Sequence, residues 1–261
     1  MNHIWQATGV LTRGGRGLLD LLSALRQGLP SVCPLCTEDS RGGLLCQYCL
    51  AYLRRDTVLA CTRCGLDISG LMQCPDCLAV PFVLEQTVCA FDYVFPGDLL
   101  IHGLKISHRV ELVPALAHLL YSCWQLAAPT MLGEPCWVAV PARRASLRRR
   151  GFSPPAELCR YLGRYTSVPD WSLAVGWHAE PVPMQKQLSR HERFRAMRQA
   201  WRCDRDLAGR TVVLVDDVMT TGATLNSLAQ VCLQAGAVQV FGLVLARTPY
   251  PNRLGAGLFS R

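Results

Sequence analysis

Two groups of side chains have types and spacings suited to chemistry. Eight of the fourteen cysteines form four CxxC pairs: Cys33-Cys36, Cys46-Cys49, Cys61-Cys64 and Cys74-Cys77. Each half of the set reads C-x2-C-x9-C-x2-C, and the second half repeats the first 28 residues later. A CxxC turn puts two thiolates on one side of a tight loop, and two such turns supply the four soft ligands of a tetrahedral zinc site. Two structural zinc ions are expected. Sequential pairing (33/36/46/49 and 61/64/74/77) is expected ahead of interleaved pairing, because each nine-residue gap can close as one ribbon; spacing alone leaves both open. The second group lies in the run 212–224. An apolar, β-branched stretch ends in Asp216 and Asp217, and Thr220, Thr221, Gly222, Ala223 and Thr224 then open a helix. Backbone N–H groups at a helix N-terminus, with threonine hydroxyls and a glycine, cradle a phosphate dianion. Adjacent carboxylates would repel that phosphate unless they face another part of the ligand, and ribose hydroxyls suit them. The run therefore reads as a ribose-5-phosphate clamp. It has neither the Gly-Lys-Ser/Thr of a Walker A loop nor a GxGxxG turn.

The elements that must position these groups alternate in type. Residues 87–94 read as a strand closed by Pro96-Gly97, and 98–126 as a helix in two pieces with a break near 107–110. Residues 136–140 read as a short strand. Ser153 followed by Pro154-Pro155 starts a helix with Ala156, Cys159, Leu162 and Tyr165 toward the core. The run 211–215 has the texture of a central parallel strand. Leu225, Leu228, Ala229, Cys232 and Ala235 recur at helical spacing up to Gly236, and 238–246 is another strand. Such alternation implies an α/β domain with a mostly parallel sheet flanked by helices.

Composition narrows the class. Half of the 261 residues are hydrophobic and 18% are charged, enough for a core and too apolar for wholesale disorder. No apolar run reaches the ~20 residues of a membrane span. The leucines of the first thirty residues are interrupted by Asp20 and Arg26, so no secretory signal is read there. Fourteen cysteines without such a signal point to metal and buried thiols in the cytoplasm. The six single ones, Cys89, Cys123, Cys136, Cys159, Cys203 and Cys232, read as small core residues. Formal charge is +8. Eight thiolates and two Zn²⁺ would bring it to about +4, leaving any case for nucleic acid to local clustering. Arg143, Arg144, Arg148, Arg149 and Arg150 form one cluster, and Arg190, Arg193, Arg195, Arg198, Arg202 and Arg205 follow. They read either as a solvated face or as a grip on pyrophosphate or a nucleic-acid backbone. Phe152, Phe194 and Trp201 are interleaved and read as base-stacking candidates or ordinary packing. His102, His108 and His118 read as helix surface. Lys105 either points into the pocket or lies exposed.

The run 212–224 resembles the phosphoribosyl-pyrophosphate (PRPP) signature of type I phosphoribosyltransferases. Combined with the double zinc ribbon, the chain is identified as resembling the ComF/GntX family across residues 31–248. Leu104-Lys105, Val140-Pro141 with the arginines through Gly151-Phe152, and Ala246-Arg247 match further family elements. Gln185, Leu188, Ser189 and Arg193 resemble its flexible hood. The sequence departs from the family at Ser153-Pro154, Val182 and Ala196, which removes polar groups from the closing loops. The resemblance implies an N-terminal helical segment (1–30), a double zinc ribbon (31–81) and a type I phosphoribosyltransferase-like domain (82–261). It implies PRPP binding by Asp216, Asp217, Thr220, Thr221, Gly222, Ala223 and Thr224, with Mg²⁺ arriving with PRPP. It also implies a role in DNA uptake or use, with single-stranded DNA and the uptake machinery as partners. Two classes stand: a DNA-handling protein with a PRPP or nucleotide pocket, and a phosphoribosyltransferase of nucleotide salvage with an unknown acceptor.

Overall fold

The computed structural model describes residues 28–55, 60–69, 71–79, 81–166, 168–170, 172, 175–177 and 201–249. The hood positions, Val182 and Ala196, the arginines 190, 195 and 198, Phe194 and the segment before residue 28 lie outside them.

A run of β-branched and apolar residues with no polar face can be covered only from both sides. In β7 (Arg210–Met219) and β8 (Gln239–Arg247) that is the outcome, with Val212 through Val215 and Val244 through Ala246 wholly buried. They are the inner strands of a four-stranded parallel sheet, flanked by β3 (Thr87–Asp92) and β4 (Glu134–Ala139) in the order β3-β8-β7-β4. The expected two-piece helix is α3 (Gly97–Lys105) and α4 (Val113–Ala127), separated by a 3-10 turn at Val110–Leu112. The arginine-rich segment forms a short helix, α5 (Arg144–Arg150). Ser153 precedes α6 (Pro154–Tyr165), which buries Leu158, Cys159 and Leu162. α7 (Ala223–Gln234) links β7 to β8. A small antiparallel pair, β5 (Val175–Trp177) with β6 (Trp201–Cys203), lies outside the main sheet.

The alternation along β7 sorts the layers. Val213 and Val215 face a core shared with α4 and α6; Val212 and Leu214 face one shared with α7. The zinc-ribbon region is divided between those faces. Its first half contains the hairpin β1 (Pro30–Val32) with β2 (Asp39–Arg41) and the helix α1 (Gln47–Leu53). From it Cys33, Leu45, Cys46, Cys49 and Leu53 join the α4/α6 core. From the second half, with α2 (Pro75–Ala79), Cys64, Leu66 and Cys74 join the α7 core. The ribbons are thus built into opposite faces of the sheet. Among the described residues, no helix is long and apolar enough to cross a membrane.

Candidate functional site: two thiolate clusters and the sheet edge

Local geometry brings the cysteines together as two sequential sets. The sulfurs of Cys33, Cys36, Cys46 and Cys49 lie within 4.8 Å of one another, as do those of Cys61, Cys64, Cys74 and Cys77. The pairing left open by spacing is therefore sequential. Sulfur separations of 3.6 Å (Cys36–Cys46), 3.7 Å (Cys61–Cys77) and 3.4 Å (Cys64–Cys74) approach the ~3.8 Å edge of a tetrahedron with Zn–S bonds of ~2.3 Å. Backbone amides already point at the sulfurs: Cys46 N–H donates to Cys33 Sγ and Cys49 N–H to Cys46 Sγ, each at 3.4 Å. Donor set, count and spacing fit a structural zinc in each half. The single cysteines are a different population. Cys89, Cys123, Cys136, Cys159 and Cys232 are buried, and burial pushes the thiols of Cys123 and Cys136 up to about 11. Cys203 is half-buried and donates to the Arg205 carbonyl.

At the C-terminal edge of a parallel sheet the strand ends converge, which is where open α/β sheets bind ligands. β7 carries Asp216 and Asp217 on this edge while still paired to β8, so the carboxylates stand on the strand itself rather than on a loop beyond it. Asp217 is buried, and its backbone N–H donates to Asp216 Oδ1 at 2.8 Å. Burial, reinforced by the neighbouring Asp217 carboxylate, holds the Asp216 carboxyl well above the usual carboxylate range; Lys105 opposes the shift. Lys105, the last residue of α3, places Nζ 2.7 Å from Asp217 Oδ1. The helix lysine therefore points at the carboxylate pair.

Beyond Met219, Thr220 to Gly222 turn into α7. The first bond internal to that helix runs from Asn226 N–H to the Gly222 carbonyl, at 2.9 Å. The N–H groups of Ala223, Thr224 and Leu225 therefore precede any helical acceptor. Ala223 N–H reaches Thr221 Oγ1 at 3.4 Å. Asp216, Thr220, Thr221, Gly222, Ala223 and Thr224 line a concavity of 40 Å³, more than the 10–15 Å³ that one water needs. Gly222 caps the helix at φ +76°, in the left-handed region. A Cβ there would lie 2.7 Å from Phe82 Cε1 and 2.3 Å from Met219 Cε. The glycine is thus required by the protein packed behind the loop, beyond any demand of an incoming phosphate.

Val140 N–H bonds to the Val215 carbonyl, so β4 ends alongside β7 and the chain continues from this edge into α5. Arg144, Arg148 and Arg149 are exposed there, while Arg143 and Arg150 are half-buried. The aromatic candidates fare differently. Trp201 is buried in the core shared with α7, which removes it as an open stacking platform. Phe152 is half-buried against the His108 ring, edge-on with centroids 6.3 Å apart. His118 is half-buried beside Tyr165, with its pKa lowered by burial.

Residues 24–78 match the Double zinc ribbon domain family. The DNA utilization protein YhgH of Escherichia coli (strain K12) is 34% identical over 224 residues, covering 84% of this chain and 98% of the relative. This chain belongs to the ComF/GntX family. A further relative, Competence protein F of Haemophilus influenzae, is 29% identical over 169 residues, covering 62% of this chain and 73% of its own length. Among solved structures, a hypoxanthine phosphoribosyltransferase of Trypanosoma cruzi overlaps with a TM-score of 0.31 and 15% identity, covering 53% of this chain and 66% of that one.

In this ComF-family chain, three residues that motif reading left without a role sit against the sheet-edge loop. Arg247, at the end of β8, is 1% exposed, and its guanidinium touches both the loop and the second ribbon. Phe82 packs behind Gly222. Asn226 accepts from Val83 N–H at 2.8 Å and donates to the Pro81 carbonyl at 3.1 Å. The sole sequence signal among them was the Ala246-Arg247 strand ending.

Proposed function

We propose that this chain binds PRPP or a nucleoside 5′-phosphate at the C-terminal edge of its sheet, and does so in handling single-stranded DNA brought into the cell. The observation that carries the site reading is the Lys105–Asp217 pair next to Asp216, the carboxylate that lines the concavity of the 220–224 turn. In that reading the carboxylates accept hydrogen bonds from ribose hydroxyls while Lys105, paired with Asp217, fixes its orientation. The N–H groups of Ala223 and Thr224 and the hydroxyls of Thr220, Thr221 and Thr224 hold the 5′-phosphate, with the helix dipole behind them. Arg143 and Arg144, starting the helix that follows β4, face pyrophosphate; Arg148, Arg149 and Arg150 face a nucleic-acid backbone. Mg²⁺ arriving with PRPP would neutralise pyrophosphate charge. The DNA context is drawn from the relatives' names, DNA utilization protein and Competence protein F, and a cytoplasmic location follows from the need to keep eight thiolates reduced.

Calorimetry tests the site. With Mg²⁺ present, wild-type protein should bind PRPP or a nucleoside 5′-phosphate, and Asp217→Asn should weaken that binding at least tenfold, since a charged acceptor and its lysine partner are both disrupted. Equal affinity in the two proteins removes the assignment. PRPP-dependent pyrophosphate release on addition of a free base, without oligonucleotide binding, would favour the salvage transferase instead.

A further inference from the structure

The two ribbons differ in what they touch. The first packs with α4 and α6, away from the 220–224 turn; the second shares its apolar core with Met219 and Leu225, which bracket that turn. Polar contacts follow the same division. Arg247 Nε donates to the carbonyl of Cys64, a predicted zinc ligand, at 2.9 Å. One terminal nitrogen lies 3.1 Å from Asp76 Oδ2, in a pair whose side chains are each 1% exposed; Asp76 lies between Cys74 and Cys77. The other terminal nitrogen donates to the carbonyl of Thr220, and to that of Thr248 at 2.8 Å. One guanidinium therefore spans a zinc knuckle and the first residue of the phosphate turn. Around it, Arg63, inside the Cys61–Cys64 knuckle, donates to the Phe82 carbonyl at 3.0 Å, and the Phe82 ring backs Gly222. Thr87, opening β3, bonds back to the same knuckle through Thr62 and Arg63 carbonyls.

We propose that the second ribbon is the back wall of the phosphate turn and that Arg247 is the positioning residue joining them. Metal occupancy at Cys61, Cys64, Cys74 and Cys77 and ligand binding at 220–224 are then thermodynamically linked, and the first cluster is not. The linkage to a ligand rests on the site reading above; the mechanical coupling does not. A buried guanidinium cannot give up its carboxylate without leaving an uncompensated charge. If the knuckle opens, Asp76 and the Cys64 carbonyl leave Arg247, which must reorient and release Thr220. Because zinc binds the closed knuckle and a phosphate binds the formed turn, each strengthens the other, by reciprocity of linkage.

Hydrogen–deuterium exchange on the full chain reads the coupling without any ligand. Cys77→Ser, which disables the second cluster, should accelerate exchange across 219–226 at least tenfold. Cys36→Ser, which disables the first, should leave that segment at the wild-type rate. Arg247→Lys guards against simple misfolding: it keeps a cation opposite Asp76 but cannot fork to Cys64 and Thr220. It should retain two zincs and still accelerate exchange at 219–226. Equal protection of that segment in Arg247→Lys and wild type, or equal acceleration by the two cysteine variants, overturns the proposal. Chelator competition in wild type then tests the link to ligand: saturating PRPP with Mg²⁺ should tighten one of the two zincs about tenfold and leave the other unchanged. Absence of any PRPP or nucleotide heat in wild type would refute the site reading, while the exchange result still decides the coupling. Detectable ligand binding with both zincs equally affected refutes the linkage itself.

Discussion

Replacing Gly222 by alanine is the most discriminating perturbation of the sheet edge. At φ +76° an L-residue carries a conformational cost of ~1–2 kcal/mol. The added Cβ would also stand 2.3 Å from Met219 Cε and 2.7 and 2.8 Å from two carbons of Phe82. The methionine methyl can swing aside. The Phe82 ring cannot readily, because the residue is 2% exposed and its carbonyl is held by Arg63. Overpacking of this kind costs ~1–3 kcal/mol, for a total near ~3 kcal/mol. In a domain of this size that lowers Tm by about 6–12 °C, measurable by scanning calorimetry of the zinc-loaded protein. The clash can be separated from the backbone cost by placing Gly222→Ala in a Phe82→Leu background. There the glycine substitution should cost only its conformational share, leaving a coupling of about 1 kcal/mol or more. A Tm within two degrees of wild type, or the same penalty in both backgrounds, would refute the packing argument.

Asp216→Asn should separate stability from binding. Because the folded-state pKa of Asp216 is raised, the folded protein holds more protons than the unfolded chain between the ordinary carboxylate range and that raised value. Stability is therefore lost as pH rises through this window, and the asparagine variant should melt higher than wild type at pH 7–8, the gain shrinking toward pH 4. A gain independent of pH would contradict the assignment. Metal analysis should give two zincs per chain, and strong chelator should release both with loss of near-UV circular dichroism, since each ribbon shares a domain core; an iron–sulfur absorbance would exclude the zinc reading. Affinity for single-stranded oligonucleotides should fall log-linearly with salt, and neutralising Arg148, Arg149 and Arg150 together should flatten the slope across all sequences alike. A slope unchanged by the triple substitution would take α5 out of the interface.

What could be read in the sequence was what is local. The zinc ligands come in pairs three residues apart, and Asp216 to Thr224 form one continuous strand–turn–helix, so residue type and spacing carry nearly all their information. The parallel sheet was legible for the same reason: Val212–Val215 has no polar face, and such a run demands cover on both sides. Periodicity says which face of an element is apolar and nothing about what covers it. The division of the ribbons between the sheet faces, the turn of Lys105 toward Asp217 across 112 residues, and the loss of Trp201 to the core all depend on that cover. Arg247 and Asp76 are 171 residues apart, and Asn226 reaches Val83 across 143. A buried charge finds its partner only once the chain has closed around it, so the sequence by itself determined the parts of the site, and tertiary packing decided that the second ribbon stands behind them.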